Sequence, residues 1–331
     1  MRILLWSTHR YAIFGHKGTG LHPRPFASGS GQYLHDLLAK GLAELGHDVF
    51  YFLDQGADGA VPPGLTIVSA PVEDIDVLHN YTTEKNHPLL MSHAALHHTP
   101  WVATCHIDVE ALGISRSEAA DNWIFVSQSL ARLHGRTRYV HNGIDPAAFI
   151  YSETKEAYFL FMSNMDRAWE KGLDIALSLV GDVGFELVVA GTSRDYATIE
   201  HTAALCREVG ARYVGDVRGE EKAALLAGAR AVLHPSRVEE AFGLVMAEAL
   251  MSGTPVICSD RGAGSEIIPP DVGFVCSDAR DYRHALENID SIASRACRDK
   301  AMCDYHYRRM AADYVKEYEA EIARYALEKT L

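Results

Sequence analysis

The sequence predicts an α/β protein built from two doubly wound domains. Short apolar runs alternate with segments of helical periodicity along most of the chain, the pattern of strand and helix in turn. Glycine-bearing turns lead into helices at Gly29-Ser30-Gly31-Gln32 and at Phe242-Gly243. With 331 residues, 48% of them hydrophobic, the chain has enough material for two cores of about 150 residues each.

The first strand is expected at residues 3–6. Its run is too short for a secretory signal, and no apolar stretch reaches membrane-spanning length, so a cytoplasmic protein without a transmembrane segment is expected. A long polar loop follows at residues 9–30 with His16, Lys17, Gly18, Gly20 and Pro23, and loops of that length are commonly functional. Leu34, Leu37, Leu38, Leu42 and Leu45 then mark one face of a helix that stops at Gly46-His47. Further strands are expected at residues 48–53, 65–69, 77–79, 101–105, 123–126 and 138–140. In the second half, strands are expected at 185–191, 212–215, 229–233 and 255–258, with helices at 220–227 and 244–251. Gly253-Thr254-Pro255 supplies the stop after the last of these. The tail, residues 304–331, reads as one long helix with Met310, Tyr314, Val315, Tyr318 and Ile322 on one side.

Charge and cysteine usage narrow the function. The 31 Lys and Arg against 44 Asp and Glu give a net charge of −13, which argues against a nonspecific nucleic-acid binder. An anionic ligand would need local positive charge. Six cysteines lie scattered with no Cys-x2-Cys pair, which fits reduced thiols rather than a disulfide frame or a zinc site. His79, His87, His93, His97, His98 and His106 crowd one segment, and His93 and His97 are four apart on a helix face. Without a third ligand or a His-Glu-x-x-His pattern they read as packing or solvated histidines, and no metal is expected.

The most specific local signal is Glu240-Ala241-Phe242-Gly243-Leu244 with Glu248 eight residues after the first glutamate. A carboxylate only accepts, and its two oxygens suit it to vicinal hydroxyls. Two such grips fit a sugar nucleotide, one on the transferred sugar and one on the ribose, since eight residues of helix span roughly 12 Å. Two glutamates at this spacing also occur on solvated helix faces. Here they follow a strand end, His234-Pro235-Ser236, and open a helix whose first amides would face phosphate or sugar oxygens.

These residues resemble the C-terminal half of family 4 glycosyltransferases, retaining sugar-nucleotide enzymes of the GT-B architecture. Arg261-Gly262-Ala263-Gly264-Ser265-Glu266-Ile267 is similar to the family's glycine-rich turn ending in a glutamate. Tyr139-Val140-His141-Asn142-Gly143-Ile144-Asp145, with Phe149, resembles the link that closes its N-terminal domain, and Lys171-Gly172 resembles its phosphate-binding lysine and glycine. In the N-terminal half, Gly29-Ser30-Gly31 is similar to the turn placed beside the donor phosphates. Asp76-Val77-Leu78-His79 resembles a strand end facing the interdomain cleft, and Thr104-Cys105-His106-Ile107-Asp108 resembles a Thr-x-His-Asp element with one inserted residue. The resemblance spans most of the chain.

It implies two Rossmann-like domains facing each other across a cleft, residues 1–149 and 150–308, with a C-terminal helix, 309–331, packing back on the first. It implies hexose transfer from a nucleoside diphosphate sugar to a hydroxyl of a small-molecule or saccharide acceptor, with no cofactor and no metal. A UDP-sugar is the favoured donor, although no side chain identifies the base, and residues 213–217 are expected to line its pocket. His106 and Glu240 are the implied catalytic residues. Gly29, Gly31, Arg167, Lys171, Phe242, Gly243, Leu244 and Glu248 are the implied donor-binding residues. One departure is clear: Ser163-Asn164 stand where the family has Gly-Arg, so Arg167 is the candidate for the missing charge. The acceptor would be read by residues 9–30 and 81–98.

Four other readings compete. A dinucleotide-binding oxidoreductase would need a third glycine where Leu34 stands. A GT-A transferase would use Asp74-Ile75-Asp76 on a metal. A GT-B 2-epimerase or phosphorylase shares the donor grip, and a non-catalytic sugar-nucleotide-binding protein shares the ligand.

Overall fold

The computed structural model describes residues 1–7, 30–52, 61–83 and 88–329. The chain divides into two compact units, Met1–Asp145 with Asp304–Leu331, and Pro146–Cys303.

The first unit runs β1 (Arg2–Trp6), α1 (Ser30–Glu44), β2 (Asp48–Phe52), β3 (Leu65–Val68), β4 (Val77–Asn80), α2 (Pro88–Leu96), β5 (Trp101–Cys105), β6 (Trp123–Phe125) and α3 (Gln128–Leu133). Its strands form a parallel sheet in the order β3-β2-β1-β4-β5-β6, with Ile3 paired to Val49 on one side and to Val77 on the other. Helices cover such sheets on both faces, so the central strands are apolar throughout, as in the fully buried Ile3, Leu4 and Leu5. Strand order reverses between β1 and β4. Their carboxyl ends therefore open the crevice where doubly wound sheets bind ligands.

The long final helix, Tyr307–Glu328, belongs to this unit. Tyr307, Met310, Ala311, Tyr314 and Tyr318 enter the same core as Leu37, Leu38 and Leu42 of α1, with Val315 and Ile322 packed alongside. Polar bonds fix its register. His79 bonds the Tyr318 hydroxyl through Nδ1 at 2.6 Å and Thr104 Oγ1 through Nε2 at 2.8 Å, and Thr104 also meets the Tyr314 hydroxyl at 2.7 Å. The strand expected at 138–140 is reduced to one parallel bridge between Phe125 and Tyr139. Beyond it the chain turns away, and Ile144 pairs with Tyr305 and Tyr307 through main-chain bonds of 2.7 and 3.0 Å.

The second unit runs β7 (Phe159–Met162), α4 (Leu173–Val183), β8 (Leu187–Ala190), α5 (Tyr196–Glu208), β9 (Arg212–Gly215), α6 (Gly219–Gly228), β10 (Ala231–His234), α7 (Leu244–Met251), β11 (Val256–Ser259), α8 (Gly264–Ile267), β12 (Gly273–Cys276), α9 (Ala279–Asn288) and α10 (Ser294–Asp304). Its sheet order, β12-β11-β10-β7-β8-β9, repeats the topology of the first. The reversal falls between β7 and β10. A core of Phe159, Phe161, Leu187, Val189, Leu233 and Ile257 from the strands packs on Leu173, Ala176, Leu177 and Val180 of α4. Among the described residues, no helix is long and apolar enough to cross a membrane.

Candidate active site

In the second unit the carboxyl ends of β7 and β10 bring together two distant pieces of sequence. Strand β7 runs into the loop that ends at Lys171-Gly172, and β10 ends at His234, ahead of Glu240. Gly172 makes the approach possible. It has a φ of 78°, and a Cβ there would stand 2.0 Å from the Pro235 carbonyl oxygen. The result is a three-residue cluster: Lys171 Nζ donates to Glu240 Oε2 at 2.5 Å, and His234 Nε2 donates to the same oxygen at 2.9 Å. The Lys171 and Glu240 side chains are only 14% and 12% exposed.

Burial by itself pushes the Glu240 carboxyl up, but the hydrogen bond and charge of His234 and the Lys171 ammonium outweigh it and hold the group down at about 2. Glu240 is thus an ionised, acceptor-only group near neutral pH. Its main chain is fixed from the other side by the glycine-rich turn. Ala263 N donates to Glu240 O at 2.8 Å, and Gly262 N donates to Glu239 Oε2 at 2.7 Å. Gly262 lies so close, with φ 59°, that a Cβ would stand 2.1 Å from Glu240 N.

Glu248 lies on α7, and Glu240 does not. The helix begins at Leu244 behind the Gly243 N-cap (φ 84°), so only the step from Leu244 to Glu248 is helical, a rise of about 6 Å rather than the 12 Å expected for eight helical residues. Glu248 is 9% exposed, and its Oε1 accepts from Lys222 Nζ of α6 at 2.6 Å. The helix starts around this site share a feature. No side-chain cap bonds the first amides of α4, α6 or α7, whereas Asp195 and Asp278 cap α5 and α9. Open amides at a helix start attract anions.

The other expected site residues fall in varied places. Arg167 is exposed and bonds Glu170 Oε2 at 2.7 Å, apart from the Lys171 cluster's bonds. Phe242 is 2% exposed and packs inside the unit. Tyr213, expected near a base, donates its hydroxyl to Gly191 O at 2.7 Å. Gly29, with most of the loop at 9–30, lies outside the described residues.

In the first unit Gly31 and His106 meet at the β1/β4 crevice. A Cβ on Gly31 would stand 3.7 Å from the Tyr81 ring and 3.9 Å from the His106 ring. His106 Nε2 donates to Tyr81 O at 2.9 Å. Burial pushes its pKa down to about 4, with the Tyr81 bond opposing in part. His79 departs from the expectation of a strand end facing a cleft, being fully buried with both nitrogens bonded. Asp108, displaced by the inserted residue, caps a short 3-10 turn and takes Arg116 through Nε at 3.0 Å and Nη2 at 2.6 Å. Asp74 is exposed and pairs with Arg2. Among the described residues, no group of three His, Cys, Asp or Glu side chains is arranged to hold a metal.

Three site residues were not singled out from the sequence. In the sequence His234 reads only as a strand end, and Lys222 as part of a helix. Arg237 stacks 4.4 Å over the Trp169 ring, donates to Trp169 O at 2.8 Å and pairs with Asp174, bracing the loop that carries Lys171. The partners of Lys222 and Arg237 lie 26 to 68 residues away in sequence, so only the topology reveals them, and His234 meets Glu240 across six residues of irregular chain.

Comparison with known proteins bears on the fold and on the second unit. Residues 148–309 match the family model described as glycosyl transferases group 1. The D-rhamnosyltransferase WbpZ of Pseudomonas aeruginosa is 29% identical over 161 residues, which cover 45% of this chain and 42% of the relative. The chain spans about half the length of the curated relatives it matches first. Among solved structures, AviGT4, a glycosyltransferase involved in avilamycin A biosynthesis, is 25% identical with a TM-score of 0.72 over 98% of both chains. HepE of Anabaena, solved in complex with UDP-glucose, has a TM-score of 0.67 at 15% identity, over 97% of this chain and all of its own. The fold is that of the GT-B glycosyltransferases, and the second unit carries the group 1 match.

Proposed function

We propose that the protein is a retaining, metal-independent hexosyltransferase of family 4 that moves a sugar from a nucleoside diphosphate to an acceptor hydroxyl in the cytoplasm. The observation that carries this reading is the Lys171-Glu240-His234 cluster beside the uncapped start of α7. Glu240 holds the hydroxyls of the transferred sugar, and Glu248 holds the ribose. Lys171, the amides of Gly243 and Leu244, and Arg167 once turned from Glu170 face the diphosphate, which gathers negative charge as it leaves. The bond from the sugar's anomeric carbon to the phosphate oxygen breaks while the acceptor oxygen bonds that carbon on the same face. The acceptor proton passes to the departing phosphate, and no covalent sugar-enzyme bond forms.

His106, beside the Gly31 turn, is the second catalytic candidate, a ring that burial keeps neutral near pH 7. A UDP-sugar is the favoured donor, in keeping with the UDP-glucose complex of HepE. The acceptor is a small molecule or a saccharide.

The test is incubation with UDP-, GDP-, ADP- and dTDP-hexoses, with and without mono- and oligosaccharide acceptors, read by mass spectrometry and by NMR of the product anomer. Acceptor-dependent release of nucleoside diphosphate, with the anomer retained and activity lost in Glu240→Gln, is expected. Release without acceptor would favour an epimerase, and binding without turnover would favour a binding protein.

A further inference from the structure

Lys222 has no part in the reading above, yet it makes the bond that fixes Glu248. Its ammonium sits 2.6 Å from Oε1, with the two side chains 18% and 12% exposed. The pair joins α6 to α7. The last torsion of a glutamate is broad and roughly two-fold, so packing alone does not set the plane of its carboxylate. A hydrogen-bond partner does. Glu240 has two donors on one oxygen, Lys171 and His234. Among the described residues, Lys222 is the single side chain bonded to the Glu248 carboxylate.

We infer that Lys222 is a positioning residue for the nucleotide ribose: by engaging Oε1 of Glu248 it fixes the carboxylate plane and leaves Oε2 as the oxygen that takes a ribose hydroxyl. The inference rests on the reading of Glu248 as the ribose grip. A lysine does this with a point charge and three donors, so an arginine of similar reach should reproduce it in part, while a methionine of similar volume should not. Without the ammonium, a mostly buried carboxylate loses its neutralising partner, and its plane is no longer set.

The consequence is specific. Loss of Lys222 should cost only the ribose-dependent share of nucleotide affinity. A lysine that instead touched the diphosphate would cost affinity whether or not the ribose carries hydroxyls.

The experiment is titration calorimetry of wild type, Lys222→Met, Lys222→Arg, Glu248→Ala and the Lys222→Met/Glu248→Ala double variant with UDP, GDP, ADP and dTDP. The 2′,3′-dideoxy counterpart of the nucleotide bound best by wild type is measured in parallel. Wild type is expected to prefer the hydroxyl-bearing form by about tenfold or more, as for hydrogen bonds to a charged group. Lys222→Met should bring that preference near one while leaving dideoxynucleotide affinity unchanged. Lys222→Arg should restore part of it, and the double variant should be no worse than Glu248→Ala.

If Lys222→Met weakens both forms alike, or neither, while Glu248→Ala removes the preference, the inference fails and the ribose grip stands. If Glu248→Ala leaves the preference intact, or no nucleotide binds wild type, the ribose reading fails and the inference falls with it.

Discussion

Lys171 and Glu240 come from loops 69 residues apart and meet at 2.5 Å, at the point where the second unit's strand order reverses. Neither residue is placed by its own neighbours alone. Gly172 lets the lysine loop touch the end of β10, and Gly262 holds the glutamate from behind.

Glu240 with His234 and Lys171 sets an acid limit on stability. The Glu240 carboxyl is held at about 2 in the folded chain against an ordinary 4.5. The unfolded chain therefore binds more protons as pH falls below about 4.5, and the joint contribution of His234 and Lys171 to holding this carboxylate, on the order of 3 kcal/mol, is whole above that value and lost as pH falls through about 2. Urea unfolding of wild type and Glu240→Gln between pH 7 and 2.5 should show the wild-type advantage shrinking toward acid. A constant difference across that range would contradict this account of the cluster.

The two glycines give a second test. Gly262→Ala would force a Cβ to 2.1 Å from Glu240 N at a φ of 59° and should cost roughly 2–4 kcal/mol while displacing the carboxylate. Gly184 shares a positive φ of 76° but has nothing within 4 Å, so Gly184→Ala should cost only about 1–2 kcal/mol and leave ligand binding unchanged. Equal costs would mean that close approach to the glutamate does not matter.

Lys155 predicts a gain in stability with rising pH in an alkaline window. Its ammonium bonds only neutral acceptors, Ala227 O at 2.8 Å and Thr254 Oγ1 at 2.7 Å, and burial lowers its pKa to about 8 against an ordinary 10.5, with nearby Cys297 opposing slightly. Between those values the unfolded chain holds the proton that the folded chain has released, so this residue's contribution improves as pH rises through that window. Melting temperatures from pH 7 to 10.5 should show wild type gaining on Lys155→Met. A parallel pair of curves would contradict it.

The final helix is tied to the first unit by polar as well as apolar contacts. Tyr318→Phe removes the hydroxyl that meets His79 Nδ1 at 2.6 Å inside the core, and should cost about 1–3 kcal/mol by leaving a buried ring nitrogen unpaired. Unfolding in urea measures it. A neutral result would mean that the hydroxyl contributes nothing to docking this helix.

Much of the fold was legible because its signals are local. Leu34, Leu37, Leu38 and Leu42 do line the buried face of α1, and Gly253-Thr254-Pro255 does end α7. Glu240 and Glu248 could be singled out because a strand end and a glycine turn flank them. Of their partners, Lys171 could be and Lys222 and His234 could not. Lys222 acquires meaning only when α6 and α7 are folded side by side, since nothing in a linear pattern encodes a 2.6 Å contact across 26 residues, and His234 only when the irregular chain after β10 brings Glu240 back to it. Arg167 shows the converse, since its charge was legible and its bond to Glu170 was not. His79 looked like a cleft residue by its place at a strand end, and the final helix covers it instead.

The most direct test of the account is thermal stabilisation, without metal, of wild type and Glu248→Ala by nucleoside diphosphates and their hexose conjugates. A ligand that binds the native state must raise its melting temperature. A shift selective for one base in wild type, and much smaller in Glu248→Ala, is the expected result. No shift with any nucleotide, or an equal shift in both proteins, would contradict the assignment of Glu240 and Glu248 as the two grips on a sugar nucleotide.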